Sequence, residues 1–130
     1  MKRIQRKLTK GFKMPENTIY VGRPTKFGSP FKLQGDIIYI DASYRRKILS
    51  PWVYLCVGDL EKMLRLYKCV VTGMMQEGEY GIEFKNLHDI MFWVEHFKKL
   101  NILELKGKNL SCFCSLSCKC HVDILLELLL

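Results

Sequence analysis

The chain lacks the signatures that identify most enzyme classes on sight. Its 130 residues hold no G-x-G-x-x-G dinucleotide fingerprint, no GKS or GKT ending of a Walker loop, no Ser-centred nucleophile elbow and no carboxylate pair at a recognisable catalytic spacing. No stretch approaches the roughly 18 to 20 continuous apolar residues of a membrane span. The basic start has no apolar centre of a secretory signal, and neither internal repeats nor low-complexity tracts are present. These absences exclude the familiar dinucleotide, P-loop and serine-hydrolase plans, and they point to a cytoplasmic protein with no membrane partner.

What is present is ordinary in bulk and uneven in detail. Apolar residues make up 48% and charged residues 26% of the chain, as in soluble globular proteins. A chain of 130 residues suits one domain with a real hydrophobic core. The formal charge of +8 is concentrated early: residues 1–47 carry twelve Lys/Arg against three Asp/Glu, residues 48–130 nine against ten. Lys2, Arg3, Arg6, Lys7, Lys10 and Lys13 all precede the first acid, Glu16. Residues 1–13 read as a basic N-terminal arm and 14–130 as a single α/β domain. Such an arm either lies along a polyanion, adding salt-dependent affinity, or is a solvated terminus.

Four of the six cysteines, Cys112, Cys114, Cys118 and Cys120, fall beside His121 near the C-terminal end. A strand from about Asn109 to Cys114 points Cys112 and Cys114 the same way, because residues i and i+2 share a face. Cys120 and His121 then open an apolar helix, where free backbone N–H groups and the helix dipole favour a thiolate. In a reducing cytoplasm, metal binding or thiol reactivity is the expected use of such a cluster, ahead of disulfides.

A second informative stretch follows the short strand Thr18–Val21. Gly22-Arg-Pro-Thr-Lys-Phe-Gly-Ser-Pro-Phe31 combines glycines for close approach, prolines for stiffness and two cations, Arg23 and Lys26. In open α/β folds ligands sit beyond the carboxyl ends of strands, which is where this loop belongs.

Between these stretches, Asp36–Ile40 reads as a strand or a loop on the core. From Ser50 the pattern is helical, with Ser50 as cap, Pro51 in the first turn and Trp52, Leu55, Cys56, Leu60, Met63, Leu64, Tyr67 and Val71 recurring at helical spacing. Gly58 is a break in that helix, and Cys56 and Cys69 are small buried residues. Thr72–Gly81 is a glycine-containing connection. A second amphipathic helix runs from Asn86 to Leu100, with Asn86 as cap and Leu87, Ile90, Met91, Val94 and Phe97 as its core stripe. His88 and His96 stay outside the site, and Val122–Leu130 is a buried closing helix.

Two stretches together, YVGRPTKFGSPF (Tyr20–Phe31) and LKGKNLSCFCSLSCKCHVDILLEL (Leu105–Leu128), resemble the bacterial and phage family called domain of unknown function 4326. Val21, Gly22, Arg23, Pro24, Lys26, Gly28, Pro30 and Phe31 fit its first motif, with Ser29 where the family usually has Asn. Cys112, Cys114, Cys120, His121 and Asp123 fit its second, and Cys118 is an additional thiol. The C-x-C…C-H ending is also similar to that of another uncharacterised family. That likeness implies a Rossmann-like layout, a short and mainly parallel sheet flanked by helices, with the thiols facing a ligand cleft.

Three readings of the cluster stay open. In the first, Cys112, Cys114, Cys120 and His121 hold zinc, with Cys118 as a substitute ligand. In the second, a metal-free thiolate at Cys114 or Cys120, activated by His121, acts as a nucleophile, while Gly22, Arg23, Pro24, Lys26, Gly28 and Asp123 form the ligand-binding surround. In the third, the thiols are small buried residues of a protein-interaction domain. The first two place the loop and the cluster at one cleft, suited to an anionic partner such as a nucleotide or nucleic acid. Two outcomes follow: a small Cys/His- or zinc-dependent enzyme on a phosphate-bearing ligand, or a zinc-stabilised nucleic-acid-binding module without catalysis.

Overall fold

A computed structural model describes residues 1–45, 50–74 and 86–130; the expected connection at 72–81 lies outside them from residue 75 onward. The chain is a small mixed α/β protein, with two three-stranded sheets and three α-helices among the described residues. It forms two compact units, one built from Met1–Ser29 and Asn101–Leu130, the other from Pro30–Leu100.

The unit made from the two chain ends carries a wholly parallel sheet. Its strands are β1 (Arg3–Gln5), β2 (Thr18–Tyr20) and, between them, a late strand at Asn109–Cys112. That central strand sets Leu110 beside Arg3 and Ile19, and Ser111 beside Ile4 and Tyr20. The basic leader is therefore partly sheet: apolar Ile4 alternates with Arg3 and Gln5, a period-two pattern that pairs readily. Before the central strand comes a short 3-10 turn, Ile102–Leu105, opened by Asn101, whose side chain accepts from Leu103 N. A C-terminal helix, His121–Leu129, packs on the central strand and on β1. Val21, Leu105, Leu110, Val122 and Leu125 are fully buried, each contributing on the order of 2 kcal/mol through loss of apolar surface. The tail is thus the closing helix that its apolar pattern predicts.

The other unit begins with an antiparallel meander of β3 (Phe31–Gln34), β4 (Ile37–Asp41) and β5 (Trp52–Val57). Gly35, at φ 63°, turns β3 into β4 in a left-handed conformation that other residues rarely adopt. The ambiguous stretch at Asp36–Ile40 is therefore a strand from Ile37, with Ile38 and Ile40 buried. The helix expected from Ser50 is overturned over its first part, since Trp-Val-Tyr-Leu-Cys-Val is strand β5. Aromatic and β-branched side chains fit a pleated surface, and pairing with β4 outweighs the apparent helical spacing. Cys56 is accordingly a buried strand residue.

Helix α1 (Leu60–Thr72) starts only after Gly58, with Asp59 Oδ1 accepting from Lys62 N at 2.9 Å. It ends at Gly73, whose φ of 73° places it in the left-handed region and lets its N–H reach Cys69 O. Helix α2 (Leu87–Lys98) matches its predicted span, and the rings of Tyr67 and Phe97 meet edge-on at 5.8 Å between the two helices. Ile90, Val94 and Phe97 are buried as expected, but Met91 is exposed. Asn86 makes no side-chain cap bond; its Nδ2 instead reaches Leu55 O. No described helix is long and apolar enough to cross a membrane. We name the central parallel strand Asn109–Cys112 β6 and the closing helix His121–Leu129 α3.

Candidate metal centre

Parallel pairing of β1, β6 and β2 brings three strand ends to one edge. Arg6 follows β1, Tyr20 ends β2 and leads into Val21-Gly22, and Cys112 ends β6 ahead of Phe113 and Cys114. The chain then turns back so that α3 starts beside the same edge. Val21 N donates to Ser111 O at 2.9 Å, Arg6 N to Cys112 O at 2.7 Å, and His121 Nε2 donates to Val21 O at 2.9 Å. The start of the glycine-proline loop and the cysteine segment therefore meet.

Within this frame the sulfurs of Cys112, Cys114 and Cys120 all lie within 4.8 Å of one another, close enough to hold a metal ion. Tetrahedral zinc with bonds of about 2.3 Å requires sulfurs about 3.8 Å apart. The 3.3 Å Cys112–Cys120 separation and the 4.8 Å limit of the trio lie on either side of that spacing. Cys112 and Cys120 are buried, at 2% and 5% exposure, while Cys114 is open to solvent.

The electrostatics favour one charged sulfur. Cys120 is the N-cap of α3, and its Sγ accepts from Val122 N at 3.4 Å. Its pKa is held far below the ordinary thiol value, first by the Cys112 thiol that donates to it, then by His121 and by the Val122 N–H, against the opposing effect of burial. Cys112 moves the other way, because it holds the proton of that hydrogen bond and is itself desolvated. The Cys114 thiol is also raised, by partial desolvation against its neighbours and by the charge on Cys120.

His121 is not in the three-thiol group. Its Nε2 engages the Val21 carbonyl, which makes the ring a tie between α3 and the loop as well as a stabiliser of the Cys120 thiolate. Cys118 is also outside the group; it is exposed and lines a separate hollow of about 560 Å³ with Arg3, Leu116 and Lys119. Asp123 completes a capping box by accepting from Cys120 N at 2.9 Å and forms an ion pair with Arg3 Nη1 at 2.8 Å.

The loop residues divide similarly. Thr25 N and Oγ1 both donate to Gly22 O, Gly28 N donates to Thr25 O, and the Arg23 carbonyl accepts from the Tyr20 hydroxyl at 2.8 Å. The Arg23–Pro24 peptide is cis, and the Arg23 side chain is exposed. A Cβ on Gly22 would lie 2.6 Å from Tyr20 Oη, and one on Gly28 would lie 3.1 Å from the Arg23 backbone, so a side chain at either position would displace its neighbour. Lys26 pairs with Glu104 at 2.8 Å, and both line a cavity of about 310 Å³ with Thr25, Phe27 and Lys108.

Sequence reasoning missed Arg3, Arg6, Tyr20 and Phe113 as parts of this edge. The available signals were the alternation in Arg3-Ile-Gln5 and the single aromatic residue between two cysteines. No curated protein and no solved structure shows a detectable match to the chain. The family model for domain of unknown function 4326 matches residues 4–130, spanning both unit-forming chain ends and everything between, and the chain belongs to that family.

Proposed function

We propose that Cys112, Cys114 and Cys120 bind zinc and leave its fourth position to a phosphate-bearing ligand held by the Val21–Gly28 loop, in a small enzyme. The carrying observation is the mutual proximity of three sulfurs, two buried and one open to solvent. Three protein ligands with one accessible side is the pattern of a catalytic site, whereas structural zinc takes four. A zinc ion there supplies Lewis acidity and lowers the pKa of a bound water. Ligand placement beyond the carboxyl ends of parallel strands is the Rossmann-like element of this reading, and Arg6 and Arg23 supply positive charge for an anion.

A free catalytic thiolate is less well supported. Cys120, the sulfur with the lowered pKa, is 5% exposed and caps a helix, so its charge suits a ligand better than a nucleophile. Metal analysis of the purified chain, with thiol titration before and after a chelator, tests the proposal. The expected result is one zinc per chain, lost in Cys114→Ser, and tighter binding of inorganic phosphate by the loaded protein than by the chelated one. A folded wild-type chain that takes up no stoichiometric metal would remove it.

A further inference from the structure

Phe113 stands between two of the proposed ligands, and its surroundings are not those of an incidental surface aromatic. Leu110, Ser111 and Cys112 are buried, and Phe113, the next residue, is 43% exposed. Its ring meets Tyr20 edge-on, with centroids 5.6 Å apart and planes at 72°. The Arg6 guanidinium lies over both rings, 4.6 Å from the Tyr20 centroid and 5.3 Å from that of Phe113.

Each of these three groups comes from the end of a different parallel strand, and two of them are tied by hydrogen bonds. The Arg6 backbone is fixed through its N–H to the Cys112 carbonyl, and the Tyr20 ring through its hydroxyl to the Arg23 carbonyl. The Tyr20 phenol lies against Gly22, in space that a side chain there would take. Leu116 and Met91 are more exposed than Phe113, but neither has an aromatic or cationic frame among the described ring contacts, and scattered exposed apolar residues need no explanation. A rigid aromatic face next to a guanidinium does need one, because it combines stacking area with positive charge.

We propose that Phe113, steadied by Tyr20 and Arg6, is the stacking platform for the base of a nucleotide whose phosphate is held by the Val21–Gly28 loop. This rests on the reading above and names its ligand class. Tyr20 is paired with Ser111, so the loop and Phe113 leave from neighbouring strands about 4.8 Å apart. That separation suits a ligand whose flat ring and anion are joined by one sugar. Phenylalanine offers no hydrogen bond, so discrimination among bases is weak while the preference for a base over none is strong. The cationic character of Arg6 and of residues 1–29, with eight Lys/Arg against one Asp/Glu, matches a phosphorylated ring better than a neutral apolar partner.

Calorimetric titration of the full zinc-loaded chain with adenosine monophosphate, ribose phosphate and inorganic phosphate tests the platform. Adenosine monophosphate should bind at least about tenfold more tightly than ribose phosphate, as one stacked base provides. Phe113→Leu should erase that difference while keeping its metal, and Phe113→Trp should preserve it. A single-stranded trinucleotide that binds where the mononucleotide does not, with the same loss in Phe113→Leu, would support the platform and assign the base to nucleic acid. Measurable but equal binding of the two sugar-containing ligands, no base-dependent binding of either the mononucleotide or the trinucleotide, or a preference that survives Phe113→Leu, would overturn it. So would a Phe113→Leu effect confined to self-association of the chain. If the chain holds no metal but the Phe113-dependent preference persists, the platform stands and the zinc reading falls.

Discussion

Cys120 Sγ lies 3.3 Å from Cys112 Sγ, although eight positions separate them in the chain. The first caps a helix and the second ends a strand, so both positions are set by backbone structure before any ion is considered. In the metal-free chain the pair should hold one proton where two free thiols would hold two. Cys120 has its pKa lowered, so its stabilising contribution is complete above the free thiol value of 9.0 and is lost as pH falls. Cys112 has its pKa raised, so its contribution is present below that value and is lost as pH rises. The pair's contribution to the stability of the chelated protein should therefore be greatest near the ordinary thiol pKa, and the difference in urea midpoint between wild type and Cys112→Ala across a pH series measures it. At about pH 6, where a free thiol is almost uncharged, ultraviolet absorbance should still report one thiolate, and Cys112→Ala should diminish it.

Cys118 provides an internal control for the metal centre. It lies four residues from Cys114 in the same loop but outside the sulfur trio. Cys118→Ser should retain full zinc content, whereas Cys112→Ser, Cys114→Ser and Cys120→Ser should each lose it. Chelation of wild type should lower the thermal midpoint, since an ion bound only by the native state stabilises it by mass action.

The Arg3–Asp123 pair joins residues 120 positions apart, with the arginine 8% and the aspartate 40% exposed. Asp123→Ala removes the acceptor for Cys120 N and leaves a buried guanidinium with the Ser115 carbonyl as its remaining acceptor among the described residues. The expected loss is about 2 kcal/mol, combining a cap with an unpaired charge. Asp123→Asn keeps the cap acceptor and should lose less, and urea denaturation separates the two variants.

Gly28 is a spacing device for Arg23. An alanine there would place its methyl 2.9 Å from Arg23 Cγ and 3.1 Å from the Arg23 backbone, and the backbone cannot rotate away as a side chain would. Gly28→Ala should be less stable by about 1 to 3 kcal/mol and should bind phosphate more weakly than wild type. Its zinc content should be unchanged, which distinguishes damage to the loop from damage to the centre.

Asp89, fully buried, accepts from the Tyr44 hydroxyl at 2.6 Å and from Arg45 Nε at 3.0 Å. Its position in the first turn of α2 accounts for a favourable charge there but not for this burial. Arg45→Met should reduce stability by about 2 to 3 kcal/mol, because the carboxylate then keeps one strong donor in a desolvated position. Calorimetric unfolding checks the value.

The convergence of three thiols was more legible than the fold around them. Cys112, Cys114 and Cys120 announced themselves because cysteine is reactive and their spacing fits a strand followed by a helix cap. The apolar run from Val122 likewise read correctly as a closing helix. Trp52–Val57 misled because its apolar residues fit a helical period over one turn, and strand pairing with β4 is a long-range property that no local window contains. Arg3 and Arg6 were read as members of a basic tail, since the strand that pairs with β1 lies more than a hundred residues away. Phe113 was passed over for a simpler reason: an aromatic residue in a strand is most often core, and only coordinates reveal that this one faces solvent.

The placement of β6 between β1 and β2 also bears on how the protein is made. During synthesis both outer strands emerge from the ribosome long before Asn109, and neither finds its hydrogen-bonding neighbour until that residue appears. The thiol-bearing unit must then assemble in a late, long-range step, while Pro30–Leu100 can organise earlier as elongation proceeds. A nascent chain stalled ahead of residue 109 would expose two unpaired strands to chaperones and proteases, and would present no sulfur ligand from the trio to a metal donor.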